Sequence, residues 1–195
     1  QMRAVGEVMS IGKTYKEAFQ KSIRSLEKGR YGLGFARNFH ELSLEELMIR
    51  LNHPSSERQF LMYEALRKGA SSDALHEKTH IKHWFIDQMR ELVQLEEKVL
   101  QHVGAVPPDD LLTRAKQDGF ADGYLARLLE VPERDIRERR RGLDVWERYC
   151  AVPVSGVENA AYYYSTYNAP DSVPVSRGRR KVMILGGGPN RIGQG

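Results

Sequence analysis

The sequence predicts a mainly α-helical domain of about seven helices, followed by short extended segments and a truncated strand–glycine loop at the C-terminus. Three observations predict this fold class. Apolar residues recur at helical spacing between residues 14 and 141, capping residues precede several of these segments, and glycine or proline follows them. After Gly142 the chain turns to short runs rich in valine and tyrosine, which are typical of extended structure.

The first two helices are predicted from capping motifs. Thr14 is followed three residues later by Glu17, and Ser43 is followed by Glu46 at the same spacing. In a capping box the hydroxyl and the carboxylate each bond a free backbone N–H group, so both pairs predict a helix start. Glycines end the first helix and predict a loop between the two helices; they are Gly29, Gly32 and Gly34.

Breaker residues delimit the shorter helices. The stretch SSERQFLMYEALRKG predicts a helix that follows Pro54 and ends at Gly69, and another short helix is predicted from Ser72. Farther along the chain, three more short helices are predicted at residues 109–117, 123–130 and 133–141.

The strongest helical pattern lies between Thr79 and Gln101, about six turns long. Its apolar stripe is wider than one contact face needs, which predicts a central helix with neighbours on two sides. The residues of this stripe are Ile81, Trp84, Phe85, Ile86, Met89, Leu92, Val93, Leu95, Val99 and Leu100.

The remaining segments are predicted to be extended. Residues 150–164 favour extended chain, and residues 168–180, which are rich in proline, serine and arginine, predict a linker. Lys181–Leu185 is a short apolar run that predicts a buried strand, followed by three glycines and the place where a helix would begin. A strand, a glycine turn and a helix start together form half of an anion-binding unit.

Composition limits the class of protein. A chain of 195 residues with 41% hydrophobic and 29% charged residues is typical of a globular domain, and no apolar stretch is long enough to span a bilayer. A single cysteine, Cys150, excludes an internal disulfide and favours a reducing, cytoplasmic compartment. The net charge of +4 is too small to indicate a nucleic-acid partner. We therefore expect neither a membrane nor a nucleic-acid partner.

The motif GGGPNRIGQG is the first candidate binding site. It lacks the lysine and the hydroxyl residue of a Walker motif, although Gly186, Gly188 and Gly193 are spaced loosely like a dinucleotide fingerprint. Backbone N–H groups at the start of the predicted helix, together with Arg191, would suit an anionic ligand.

A DNA-binding alternative rests on the arginine-rich stretch from Arg134 to Arg141. Two short helices joined at a Val-Pro turn resemble a helix-turn-helix, with the arginines facing phosphates. Glutamate and aspartate alternate with these arginines, however, and neither asparagine nor glutamine is placed to recognise adenine.

Other residues offer weaker candidates for chemistry. His76, His80 and His83 have metal-ligand spacing, but Thr79 predicts a helix boundary between them, so no metal site is predicted. Three aromatic residues with helical spacing are predicted to pack in the core: Trp84, Phe85 and Trp146. The adjacent acidic pairs Glu96–Glu97 and Asp109–Asp110 diverge on a helix, so they predict solvated faces or first-turn dipole partners. No catalytic residues are predicted in the helical body.

Several stretches together resemble one enzyme family. They are KVMILGGGPNRIGQG, MRAVGEVMSIGKTYKEAFQKSIRSLE, HWFIDQMRELVQLEE, KQDGFADGYLARLLEV and AAYYYSTY. In order and approximate spacing they resemble the large subunit of carbamoyl-phosphate synthetase, over nearly the whole chain. The resemblance implies a ligase that makes carbamoyl phosphate from bicarbonate, ATP and glutamine-derived ammonia, for arginine and pyrimidine biosynthesis.

The resemblance also implies a domain organisation. Residues 1–13 would be the C-terminal edge of a first ATP-grasp (carboxyphosphate) half, and 14–150 a helical oligomerisation domain. Residues 151–180 would be an extended connector, and 181–195 the start of a second (carbamoyl-phosphate) half. The expected partners are further copies of the large subunit and a glutaminase small subunit. ATP and Mg or Mn would serve the full-length enzyme, and the fragment alone would bind no cofactor and be inactive.

By the same resemblance, residues of the glycine loop would face the substrate tunnel of the second half. They are Gly186, Gly187, Gly188, Asn190, Arg191, Gly193, Gln194 and Gly195. Glu7 matches the motif that closes the first half, where structural anchoring is as good an explanation as function.

Overall fold

The computed structural model describes residues 8–26, 29–36, 38–153, 162–173 and 177–184. Over these residues the fold is mainly α-helical, as predicted, with eight α-helices and one small sheet. The helices are α1 Tyr15–Ser25, α2 Leu44–Arg50, α3 Arg58–Arg67, α4 Ser72–Thr79, α5 His83–Leu100, α6 Asp109–Gln117, α7 Asp122–Leu129 and α8 Glu133–Gly142. A 3₁₀ turn at Phe39–Glu41 precedes α2, and the strands are β1 Arg148–Ala151 and β2 Tyr163–Thr166.

Helix α5 lies at the centre of the domain, as its wide apolar stripe predicts. It packs against five helices, namely α1, α3, α4, α6 and α7. The side chains of Ile86, Leu92 and Val99 are completely buried, so this helix supplies the middle of the hydrophobic core. Burial of apolar surface on this scale is the main force that holds the helices together.

The predicted start of α5 at Thr79 is wrong by four residues. Thr79 is the last residue of α4, where its hydroxyl donates to the carbonyl of Leu75 (2.7 Å) and accepts from the N–H group of Ile81 (3.2 Å). His80 then adopts a left-handed backbone with φ of 56° and ends the helix. The hydroxyl therefore helps to close one helix rather than to open the next.

Two predicted caps are present, but only one is a complete capping box. Ser43 and Glu46 bond each other's backbone N–H groups at 2.7 and 3.2 Å, as predicted. Thr14 accepts from the N–H group of Glu17, but the Glu17 carboxylate bonds the N–H group of Lys13. The Glu17 side chain is buried, and its carboxylate also bonds a strand that is distant in the sequence. It therefore does not make the reciprocal bond to the N–H group of Thr14.

The two strands pair antiparallel, and side chains of α1 bond β2. Arg148 pairs with Thr166, and Ala151 pairs with Tyr163. The predicted extended character of this region is confirmed where the structure describes it. The buried strand predicted at Lys181–Leu185 is wrong for residues 181–184, which form no strand and expose their side chains, because none of the described strands lies beside them to pair with their backbone.

Candidate functional site

The glycine loop predicted as an anion site lies outside the described residues. This applies to Gly186, Gly187, Gly188, Asn190, Arg191, Gly193, Gln194 and Gly195, and also to Glu7. Their assignment stays a prediction, and the candidate sites below come from the helical body.

The arginines of α8 bond carboxylates of the same domain. Arg139 makes two hydrogen bonds of 2.7 Å to Asp109, and Arg140 bonds Asp122 at 2.8 Å. Arg137 pairs with Glu133 one turn earlier. These ion pairs cancel much of the positive field that a phosphate backbone would need, so the DNA-binding alternative finds no support.

Two of the three candidate histidines come together, although a helix boundary separates them. The rings of His76 and His83 lie 4.3 Å apart between centroids. His76 bonds the carbonyl of Ile81 at 2.7 Å, and His83 bonds the exposed carboxylate of Asp73 at 2.9 Å. Across the described part of the chain, no three histidine, cysteine or acidic side chains are gathered as a metal site would require.

A fully buried polar cluster, which the sequence patterns did not reveal, surrounds Glu96. The Glu96 side chain is completely buried and accepts hydrogen bonds from the hydroxyls of Tyr63 and Tyr124, both at 2.8 Å, and from Arg67. Burial raises the pKa of Glu96, and Arg67 and the two tyrosines only partly offset this effect. The prediction that Glu96 lies on a solvated face is wrong, whereas its neighbour Glu97 is half-exposed and pairs with Arg67.

A second buried ion cluster links α6, α7 and α8. The ammonium group of Lys116 lies 2.7 Å from Asp122 and donates to the carbonyl of Phe120 at 2.7 Å. Burial lowers the pKa of Lys116. Burial opposes ionisation of Asp122, but Lys116 and Arg140 hold its pKa below the usual range. Asp122 thus pairs with both cations and joins the helices, which is a structural role. The acidic pair Asp109–Asp110 lies in the first turn of α6, as predicted.

The glycine-containing loop of residues 29–36 covers the Glu96 cluster and presents Phe35 to solvent. Phe35 is 55% exposed and has a left-handed backbone with φ of 53°, which is strained for a side chain of this size. The guanidinium carbon of Arg67 lies 5.4 Å from the centre of its ring. Strained residues occur often at ligand and partner contacts, so the exposed ring of Phe35 is a candidate contact.

A groove of about 420 Å³ lies beside Phe35. Apolar side chains from α5 and α7 form much of its wall, and the charged residues Arg127 and Glu130 also line it. We call it the Phe35 groove, and its lining includes Phe35, Leu100, Val103, Tyr124, Arg127, Leu128 and Glu130.

A second exposed apolar surface lies where α1 begins. The ring of Tyr15 lies within 5.5 Å of Phe19, Trp84 and Phe85, between centroids. The prediction that Trp84 and Phe85 pack in the core is wrong, since Trp84 is 54% exposed and Phe85 is also exposed. The same prediction is wrong for Trp146, which is exposed beneath Arg141. For Trp84 and Phe85, helical spacing does not show which side of α5 faces solvent, and Trp146 lies in no helix but between α8 and β1.

The described surface is therefore suited to contacts with other polypeptide. Large exposed apolar side chains beside grooves are typical of protein interfaces, whereas the buried charges join helices to one another. Among the described helices, none has the length and apolar character required to cross a bilayer.

A family model and the curated relatives of this chain agree on one family. A family model described as the carbamoyl-phosphate synthetase large chain, oligomerisation domain, matches residues 7–144. The carbamoyl phosphate synthase large chain of Archaeoglobus fulgidus is 44% identical over 202 residues, which cover 100% of this chain and 19% of that protein. The corresponding proteins of Pseudomonas aeruginosa and Synechocystis sp. are 42% and 39% identical, with 100% of this chain and 18% of each relative covered.

The chain thus spans less than a fifth of the length of these relatives. The family model matches well over half of the chain, including every helix from α1 to α8. The chain belongs to the oligomerisation-domain family of the carbamoyl-phosphate synthetase large chain.

Proposed function

We propose that this domain joins copies of a carbamoyl phosphate synthase large chain through Phe35 and the groove beside it. The observation that carries the proposal is the pairing of an exposed, strained aromatic side chain with an adjacent groove on the same face. In a two-fold contact each copy offers the same surface, so a projection and a recess side by side are self-complementary. Phe35 of one copy would enter the groove of the other.

Two charged residues that line the groove fit the same arrangement. Arg127 lies with its guanidinium carbon 4.1 Å from the centre of the Tyr31 ring, and Glu130 follows α7 in a left-handed backbone. A two-fold axis close to Phe35 would bring Arg127 of each copy towards Glu130 of the other. Opposite charges at the rim would fix the orientation of the contact, while the apolar centre would supply most of its free energy.

Phe35→Gly is expected to weaken self-association and leave the fold intact. The dissociation constant should rise by about tenfold or more, because an aromatic side chain at the centre of an interface contributes strongly to binding. The free energy of unfolding of the monomer should stay within about 1 kcal/mol of wild type, because relief of left-handed strain offsets the loss of the contact with Arg67. Sedimentation velocity over a range of concentrations measures the first effect, and urea denaturation measures the second.

Two variants test whether the effect is specific to this face. Tyr162→Ser removes an aromatic side chain that is 73% exposed and should leave the dissociation constant unchanged. Trp84→Ser removes the most exposed ring of the other aromatic surface. If Trp84→Ser dissociates the copies and Phe35→Gly does not, the assignment of the Phe35 groove is wrong.

The whole protein is proposed to act as an ATP-dependent ligase of the cytoplasm. Residues 1–13 and 181–195 would be the edges of two ATP-grasp halves. These halves would use ATP with Mg or Mn to phosphorylate bicarbonate and then carbamate. A glutaminase small subunit would supply ammonia, and the product would serve arginine and pyrimidine biosynthesis. The loop of residues 186–195 would face the carbamate side. The names of the relatives, each a carbamoyl phosphate synthase large chain, support this proposal.

The 195-residue chain by itself is expected to hydrolyse no ATP above background. In the proposed enzyme, the groups that bind adenine and metal belong to the ATP-grasp halves, of which this chain would carry only the edges. Release of inorganic phosphate in the presence of ATP, magnesium, bicarbonate and ammonia measures the activity. Turnover that survives repeated purification would show that the helical body contains a catalytic site and would overturn this part of the proposal.

A further inference from the structure

The segment that leads into α1 and the strand β2 meet on one face of α1. Both are bonded by the same two side chains, Glu17 and Lys21, which are one helical turn apart. We call Glu17, Lys21 and the groups they bond the junction.

Glu17 bridges the two segments through a single carboxylate. Its side chain is 1% exposed, and its Oε2 atom accepts from both the N–H group of Lys13 and the hydroxyl of Thr166, each at 2.8 Å. Its Oε1 atom accepts from the N–H group of Tyr167 at 3.0 Å. Thr166 is completely buried, so the bond on the β2 side is shielded from water.

Lys21 repeats the bridge one turn later. Its ammonium group donates to the carbonyl of Ile11 at 3.0 Å and to the carbonyl of Ser165. Beside it, the hydroxyl of Ser10 donates to the carbonyl of Ala18 at 2.6 Å, which holds the entering segment along α1. The side-chain amide of Asn168 donates to the carbonyl of Gln117 at 2.8 Å and holds the chain just after β2.

We infer that the junction sets the placement of the two chain segments that would connect this domain to the flanking halves, and that Glu17 is a positioning residue for the reaction they share. The inference rests on the proposed function. The segment before α1 would lead from the first half, and the chain after β2 would lead to the second. With both tied to one carboxylate, movement of either segment disturbs the other, so the path between the two halves is held constant. An intermediate made in one half can then reach the other without loss to solvent.

Glu17→Gln removes this bridge with little change of shape. All three groups facing the carboxylate are donors, and an amide can offer only one oxygen to them, so at least one donor would face an N–H₂ group. In hydrogen exchange on the 195-residue chain, the amide of Tyr167 or that of Lys13 should exchange at least about tenfold faster, because whichever of them faces the N–H₂ group loses its acceptor. The amide of Leu92 in α5 should keep its protection.

Two further variants serve as controls for this measurement. Thr166→Val keeps the shape and removes the hydroxyl that donates to Glu17 and accepts from the N–H group of Asn168, so faster exchange is expected at Asn168 and a smaller increase at Tyr167 than in Glu17→Gln. Glu77→Gln makes the same chemical change on an exposed face of α4 and should alter neither the exchange rates nor the fold. If Tyr167 and Lys13 both keep their protection in Glu17→Gln, the junction is not held by Glu17 and the inference fails.

The test of positioning uses the full-length large chain with its small subunit. In Glu17→Gln we expect the ATP hydrolysed per carbamoyl phosphate formed to rise by about twofold or more, because misplacement of the halves wastes the intermediate. A variant that is merely unstable would lower ATP hydrolysis and carbamoyl phosphate formation together, so the ratio of the two would not change. An unchanged ratio, with faster exchange at Tyr167 or Lys13, would overturn the positioning role. If the wild-type protein forms no carbamoyl phosphate at all, the proposed function fails instead.

Discussion

Glu96→Ala is expected to lower the free energy of unfolding by about 3 kcal/mol or more. The substitution leaves the hydroxyls of Tyr63 and Tyr124 without their shared acceptor and removes the main buried partner of Arg67. It also opens a cavity in the middle of the core, next to α5. Urea denaturation followed by circular dichroism measures the change.

Two neighbouring substitutions act as controls for Glu96→Ala. Glu97→Ala removes the half-exposed partner of the same arginine and should cost less than about 1 kcal/mol. Glu96→Gln keeps the shape and should have an intermediate effect. Because burial raises the pKa of Glu96 in the folded state, wild type gains stability from protonation at low pH and loses it as the pH rises through that pKa. The difference in the free energy of unfolding between wild type and Glu96→Gln should therefore become smaller as the pH rises. Equal effects of Glu96→Ala and Glu97→Ala would mean that the buried network stabilises nothing.

Gly34→Ala is expected to cost about 2–3 kcal/mol, although it adds only one methyl group. A Cβ atom at Gly34 would lie 2.5 Å from the hydroxyl of Tyr124 and 2.9 Å from Nη2 of Arg67, and would overlap the Glu96 carboxylate. These groups are held by their own bonds and cannot move aside, so the loop would lift. Differential scanning calorimetry should show a lower Tm, and self-association should weaken as well because Phe35 moves with the loop.

Gly142→Ala is the matched control for Gly34→Ala. Gly142 ends α8, and no atom lies within 4 Å of the place where its Cβ would be. Because alanine favours helix more than glycine, the variant should be neutral or gain about 0.5–1 kcal/mol. Similar behaviour of the two variants would show that the loop adapts and that close approach does not require Gly34.

Features set by neighbouring residues could be predicted from the sequence. The capping box of Ser43 and Glu46, the helix end at Gly69 and the three short helices after residue 109 all depend on contacts within a few residues. Their energies are local, so a short pattern contains the information. The start of α5 was misplaced for the same reason, because Thr79 can cap one helix or close another and the choice depends on its bond to Leu75.

Features that join distant parts of the chain could not be predicted. Glu96 was assigned to a solvated face because its partners come from other helices, Tyr63 from α3 and Tyr124 from α7. Glu17 was recognised as a cap residue, but its bonds to Thr166 and Tyr167 span 149 and 150 residues. Periodicity gives the spacing of Trp84 along a helix without the side it faces. For the glycine loop at 186–195, residue type and family resemblance remain the only basis of the assignment.

The bonds of Glu17 to Thr166 and Tyr167 also constrain the order in which the domain assembles. Helices α2 to α7 contact partners that are mostly near in sequence, whereas the junction closes a loop of about 150 residues. Contacts of such large sequence separation form late, because the entropy of loop closure is lost before any bond is gained. On the ribosome, Glu17 and Lys21 of α1 would lack their partners in β2 until nearly the whole domain had been synthesised. The helical body would fold first, and the junction would close last.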